Sequence, residues 1–348
     1  MNSFQSLGKY LDQPVLVAKF QNSVPGFLAG TTAVYTAAKT ISAPKNQKKE
    51  TAVKTGMTLG AASMSALMAP RIASKITKRA LTPSLETIKE NNRNIVDEFL
   101  KNNNIKEDTK ELLNKSKDKI LNRGEINKVF EELSKNEEGK DFLEKLIPSP
   151  KNITAKDIFS EIGYLSILGA IPVVGGITGG IAADKITEKN NWKEKIPDKI
   201  KEGSYQYLAN IFMCNIGAGA ALGILEHAGI KSKSARAIGM TAGIITTGII
   251  GGSKIANLLG RKVIDPVCDR VQKKHHDNNN FEDILTLKSY NHKSPKKYKE
   301  RTPEVLDIGL HTDDIATVSL LSGLKWIEPA LPVMYTISGY RAGIGYRN

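Results

Sequence analysis

Two stretches of this chain carry no charged side chain for longer than a soluble core helix needs: residues 162–183 (IGYLSILGAIPVVGGITGGIAA), 22 in all, and residues 203–225 (GSYQYLANIFMCNIGAGAALGIL), 23 in all. A helix rises 1.5 Å per residue, so about 20 apolar residues cross the ~30 Å of hydrocarbon in a bilayer. Both runs reach that length. A third run, 237–253, has 17 residues between Arg236 and Lys254. Three shorter or interrupted stretches, 20–38, 55–70 and 315–339, follow the same style; the last contains Lys325 and Glu328. The sequence therefore predicts an all-α, polytopic membrane protein of about six Gly-rich helices with polar helical inserts.

The glycines support that reading. Pairs four residues apart occur as Gly56 and Gly60, Gly175 and Gly179, Gly239 and Gly243, and Gly339 and Gly343. Such pairs share a helix face and let a second backbone come close, which is how helices associate in lipid. In a water-exposed helix each would cost about 1 kcal/mol relative to Ala. Pro172 and Pro332 mark expected breaks inside the third and sixth helices.

An internal repeat is also visible. GMTLG at 56–60 matches GMTAG at 239–243, and AIPVV at 170–174 matches ALPVM at 330–334. The matches keep their order, which predicts two three-helix copies, the second inverted as in many secondary transporters. The charges do not follow: links one, three and five carry 23 Lys and Arg, against 26 for the opposite set, where inversion should leave a bias.

On this basis the chain divides into an amphipathic segment at 1–19, a first helix pair at 20–79, a soluble helical insert at 80–158, a third membrane helix at 159–185 and a polar link at 186–204. A second helix pair follows at 205–258, then a polar insert at 259–313 and a sixth helix with the C-terminus at 314–348. In the first insert Leu113, Ile120, Leu121, Ile126, Val129, Phe130 and Leu133 form an apolar stripe. A calcium loop around Gly124 is excluded, because Lys119, Leu121, Arg123 and Phe130 stand where oxygen ligands would be needed.

The net charge of +14 raises the question of nucleic acid. Between 71 and 161, however, 19 basic residues are interleaved with 17 acidic ones, so the expected partners are anionic lipid headgroups and a protein docking on the 80–158 insert, with no nucleic acid. No phosphate loop, nucleophile elbow or Cys-x-x-Cys pair occurs. His275, His276, Asp277, His292 and His311 lack metal-ligand spacing. No enzyme activity, cofactor or metal is expected. The N-terminus, charged at Lys9, Asp12 and Lys19, does not read as a secretory signal, and the cytoplasmic membrane is the expected location.

Ionisable groups at bilayer depth are costly and point to function. Lys325 and Glu328 lead the candidates for an ion or substrate pathway, followed by Asn210 and Asn215 in the fourth helix. A transporter- or channel-like role is the first expectation. A structural or interaction protein of the membrane is the second, and a soluble or peripheral helical protein the third.

Overall fold

A computed structural model describes residues 3–78, 83–147, 154–188, 191–230, 233–267, 270, 301–302 and 329–345. Lys325, Glu328 and the histidines of the second insert lie outside these residues. The described residues contain helices and no strand. Helix α1 (Ser3–Leu11) leads into α2 (Pro14–Ser42), and a 3₁₀ turn at Lys45–Gln47 reverses the chain into α3 (Lys48–Thr77). Helices α4 (Leu85–Asn102), α5 (Glu107–Ser116), α6 (Arg123–Leu133) and α7 (Glu137–Leu146) form the insert.

Then α8 (Ala155–Thr187) runs 33 residues without interruption. A second long helix, Trp192–His227, contains α9 (Ile196–Tyr207), a π-helical stretch at Leu208–Phe212 and α10 (Met213–His227). After it come α11 (Lys233–Ile244), π-helix Ile245–Gly252, α12 (Ser253–Leu259) and π-helix Gly260–Ile264, and finally α13 (Leu331–Ile344).

Among the described residues three helices are long and apolar enough to cross a membrane: Ala155–Thr187, Trp192–His227 and Ile238–Val267. They coincide with the three longest uncharged runs and are compatible with a membrane location. The outer surface agrees, because Val34, Ile41, Met64, Met68, Val174, Ile224 and Ile238 are all more than half exposed. In water so many outward apolar side chains would be an association hazard; against acyl chains they are at rest.

Helices pack through their glycines. A Cβ on Gly175 or Gly179 would strike Ser65 or Ala61 of α3, and one on Gly176 or Gly180 would strike the backbone of Gly339 or Gly343 in α13. Gly339 and Gly343 also touch Ala62 and Thr58 of α3. Three backbones thus converge at one seam. On the far side Gly217 and Gly243 face each other across α10 and α11. Gly239 meets Leu225, whereas Gly56 has only an ordinary contact with Thr36 and Gly60 has no neighbour at all. The glycines that match in sequence at 56–60 and 239–243 therefore have different surroundings.

The same contacts give helix direction. Residue 61 of α3 lies beside 175 and 179, and 58 beside 179, while 54 reaches 184, so α3 is antiparallel to α8. By contrast 339 lies beside 172 and 176, and 343 beside 180, so α13 runs parallel to α8. An inverted repeat would set those two antiparallel. Pro172 is buried inside α8 with its carbonyl against Gly339, and Pro332 stands in the first turn of α13, where a missing N–H costs nothing.

The insert has its own core of Val96, Phe99, Leu113, Leu121, Ile126, Val129, Leu133, Phe142, Leu143, Leu146 and Ile147. Five of the seven stripe residues are buried there; Ile120 and Phe130 are half-buried. Its helix starts are set by side-chain caps: Ser84 on α4, Asn122 with Glu125 in a reciprocal capping box on α6, and Asn136 on α7. Gln13 ties the insert to the bundle, donating to the Leu121 carbonyl at 2.9 Å and accepting from the Leu121 N–H at 2.8 Å. Lys9 donates to the Ile147 carbonyl at 3.0 Å.

Candidate functional site

The helix that begins at Trp192 extends the fourth apolar run backwards by about three turns, so charges expected in a polar link at 186–204 become part of a buried helix face. Lys195, Lys199, Glu202, Gln206 and Asn210 follow one another at three- or four-residue steps. At 3.6 residues per turn they line one side of the helix over about 22 Å. Lys199, Glu202, Gln206 and Asn210 are each at most 4% exposed.

Around the outer end of this file, Lys54 of α3 pairs with Glu50 at 2.6 Å, with Asp184 of α8 at 3.6 Å, and with Glu188. Lys195 also reaches Glu188. One turn inward, Lys199 pairs with Asp184 at 3.0 Å and donates to the Gly343 carbonyl of α13. Deeper still, Glu202 accepts from Arg301 Nε at 2.7 Å and faces Arg341 Nε at 3.8 Å. The Arg301 guanidinium lies 3.9 Å above the Tyr205 ring, and Asn257 holds the Arg301 backbone through both its N–H and its carbonyl. These groups join α3, α8, α9, α12, α13 and residue 301.

From Glu202 the file continues as a chain of amides. Gln206 Nε2 donates to Glu202 Oε1 at 2.8 Å, and Asn210 Nδ2 donates to Gln206 Oε1 at 2.9 Å. The chain ends on Asn210 Oδ1, a buried acceptor with no hydrogen-bond partner among the described residues. An orphaned buried acceptor ordinarily costs about 1–3 kcal/mol, so it calls for a reason. Asn210 also sits in the π-helical stretch Leu208–Phe212, which packs against the π-helical stretch Ile245–Gly252 where Gly252 admits Ala209. Single π turns inside α-helices occur disproportionately at functional sites.

Asn215, the other asparagine singled out from sequence, is not part of the file. Its Nδ2 donates to the Ile211 carbonyl at 2.8 Å, a bond within its own helix. The residues that sequence reasoning missed are Lys54, Asp184, Glu188, Lys199, Glu202, Gln206, Arg301 and Arg341. For Lys199, Glu202 and Gln206 the signal was the 195–199–202–206–210 spacing, hidden because charges flanking an apolar run read as the end of a span; the others come from distant segments and leave no local signal.

Glu188 lies just outside the apolar helices and titrates. Burial alone would raise its carboxyl, but hydrogen bonds from Lys195 and Lys54 outweigh burial and hold it below its ordinary value of 4.5. A carboxylate depressed in the folded state contributes stability above 4.5, and that contribution disappears as pH falls through the lower folded value. Glu188→Gln is therefore expected to lower thermal stability in detergent at pH 7 by about 1 kcal/mol. The gap from wild type should close as the pH is lowered below 4.5; a gap independent of pH would refute the assignment.

Among the described residues no group of three or more His, Cys, Asp or Glu is placed to hold a metal ion. Comparisons with protein-family models, with curated proteins and with solved structures return no match.

Proposed function

We propose that the chain is a membrane protein whose polar file, Lys195 to Asn210, conducts a proton or a small inorganic ion into the helix bundle, a transporter- or channel-like role. The observation that carries this reading is the unpartnered Oδ1 of Asn210 at the inner end of a hydrogen-bonded chain that begins at buried ion pairs. Ionised and amide side chains inside an apolar bundle are retained against a desolvation cost, and in membrane proteins they mark ion and proton relays. The paired π-helical stretches beside Asn210 give the file a place where a helix can change register.

The proposal includes about six helices in two related three-helix copies, resting on the ordered matches of 56–60 with 239–243 and 170–174 with 330–334. The parallel course of α8 and α13 counts against inversion of the second copy. Lys325 and Glu328 remain candidates for the same pathway on sequence grounds. A structural or interaction role is the second reading, favoured by the separate core of the insert, which offers a partner a preformed helical surface.

The test is reconstitution of the full chain into liposomes, with H⁺, Na⁺, K⁺ and Cl⁻ fluxes followed by dyes under a clamped potential. Wild type should exceed empty liposomes for one of these ions. Asn210→Leu should slow that flux at least tenfold while keeping its melting midpoint. Wild-type flux no faster than empty liposomes for all four ions would leave the structural reading.

A further inference from the structure

Between α2 and α3 lies an apolar groove of about 800 Å³, lined on one wall by Pro25, Ala29, Ala33 and Ala37 and on the other by Gly56 and Gly60. Its wall on α2 runs from Pro25 to Ile41, about 24 Å along the helix axis. The small residues here do the reverse of what they do at the α8 seam. There the places of the missing Cβ atoms are taken up by the neighbouring helices, whereas a Cβ on Gly60 would meet nothing within 4 Å and one on Gly56 would make only an ordinary contact with Thr36.

Helix α3 lies antiparallel along α8, one of the three membrane-capable helices, with Lys54 beside Asp184 at one end and Ala69 and Ala73 clustered with Leu168 toward the other. The groove therefore shares the depth of α8. Ile41 and Met64 line it and are more than half exposed, as are Phe27, Val34 and Met68 elsewhere on the same two helices. At the turn that closes the α2–α3 hairpin stand Lys39, Lys45, Lys48 and Lys49, all exposed. Glu50, beside them in the chain, is paired with Lys54 at 2.6 Å.

We infer that this groove binds one anionic phospholipid, an acyl chain lying between α2 and α3 and the phosphate headgroup held by the lysines of the 39–49 turn. The wall is longer than the ~15 Å of a single leaflet, so it can hold an acyl chain along its length. Clustered lysines at headgroup level attract anionic lipid, a complementarity that a zwitterionic lipid does not share. Because the wall positions 33 and 60 have free space, filling them removes the slot without pushing helices apart.

The experiment is native mass spectrometry of the full chain in detergent, stripped of lipid and titrated with phosphatidylglycerol or phosphatidylcholine. One phosphatidylglycerol should be retained, with at least tenfold preference over phosphatidylcholine. Ala33→Leu with Gly60→Leu should weaken its binding at least tenfold, and Lys45→Gln with Lys48→Gln and Lys49→Gln should abolish the preference for the anionic headgroup. Melting midpoints of both variants identify any that fail to fold; Ala33→Ile with Gly60→Ala, a smaller filling, then replaces the first. Equal retention of the two lipids, binding unaffected by filling, or a wild-type dimer that filling converts to monomer without bound lipid would each overturn the inference.

Discussion

Gly176→Val is expected to abolish the folded bundle, with loss of a monodisperse species in detergent. The glycine lies where α8 meets α13, and the position its Cβ would occupy is already filled by the backbone carbonyl group of Gly339. Overpacking a core ordinarily costs about 1–3 kcal/mol because side chains shift to other rotamers. Here the obstacle is main chain, and Ala62 and Thr58 of α3 converge with α8 on the same face of α13. It cannot retreat from α8 without opening the contacts that Gly339 and Gly343 make with both helices, so a loss of more than about 3 kcal/mol is expected. Gly180→Val, which meets Gly343 in the same way, should behave alike. Gly60→Ala is the matched control. Its Cβ would meet nothing, and the higher helix propensity of alanine should leave stability unchanged or raise it by up to about 1 kcal/mol. Thermal unfolding followed by circular dichroism and size-exclusion profiles distinguishes these outcomes; equal effects of Gly176→Val and Gly60→Val would disprove the seam.

Glu202→Leu should be the most damaging single change in the polar file. The carboxylate is 3% exposed and faces two guanidinium groups, Arg301 at 2.7 Å and Arg341 at 3.8 Å, besides accepting from Gln206. Breaking a buried pair by removing one partner typically costs about 3–5 kcal/mol, because the remaining charge keeps its desolvation penalty and loses its counter-charge. Replacing both members is far milder. Glu202→Leu combined with Arg301→Met should therefore regain a substantial part of the loss, whereas additive costs would mean that the two side chains are not coupled. The cycle also separates the two readings of the site. A structural lock recovers its purpose in the double variant; an ion-conducting file recovers stability and stays without flux.

The charged end of the bundle shows why helix limits were hard to read from composition. Lys195, Lys199 and Glu202 precede an uncharged run of 23 residues, and charges beside such a run ordinarily stand in water. Lys199 and Glu202 are buried here because their partners arrive from elsewhere: Asp184 from α8, Arg301 from a segment about 100 residues downstream, and Arg341 from α13. Ion pairs between segments so distant leave no local pattern. Asn210 was legible, since an amide inside an apolar run is conspicuous by itself, but its place in a chain with Gln206 and Glu202 required the helix to continue back to Trp192.

The features legible in the residues alone are local. Uncharged length specified the three membrane-capable helices, apolar positions at helical spacing specified the core of the insert, and Gly-x-x-x-Gly spacing announced close helix approach, because each property depends on residues within a few turns of one another. Which glycines are used depends on how the helices pack. Gly175, Gly176, Gly179 and Gly180 lie on adjacent strips of one helix, and α3 and α13 take one pair each, while Gly56 and Gly60 face an open groove. The packing also decided that α13 runs parallel to α8, a matter of chain direction to which short sequence matches are blind. Spacing reports that a backbone can approach; which one does, and from which direction, is settled by the other helices competing for the same face.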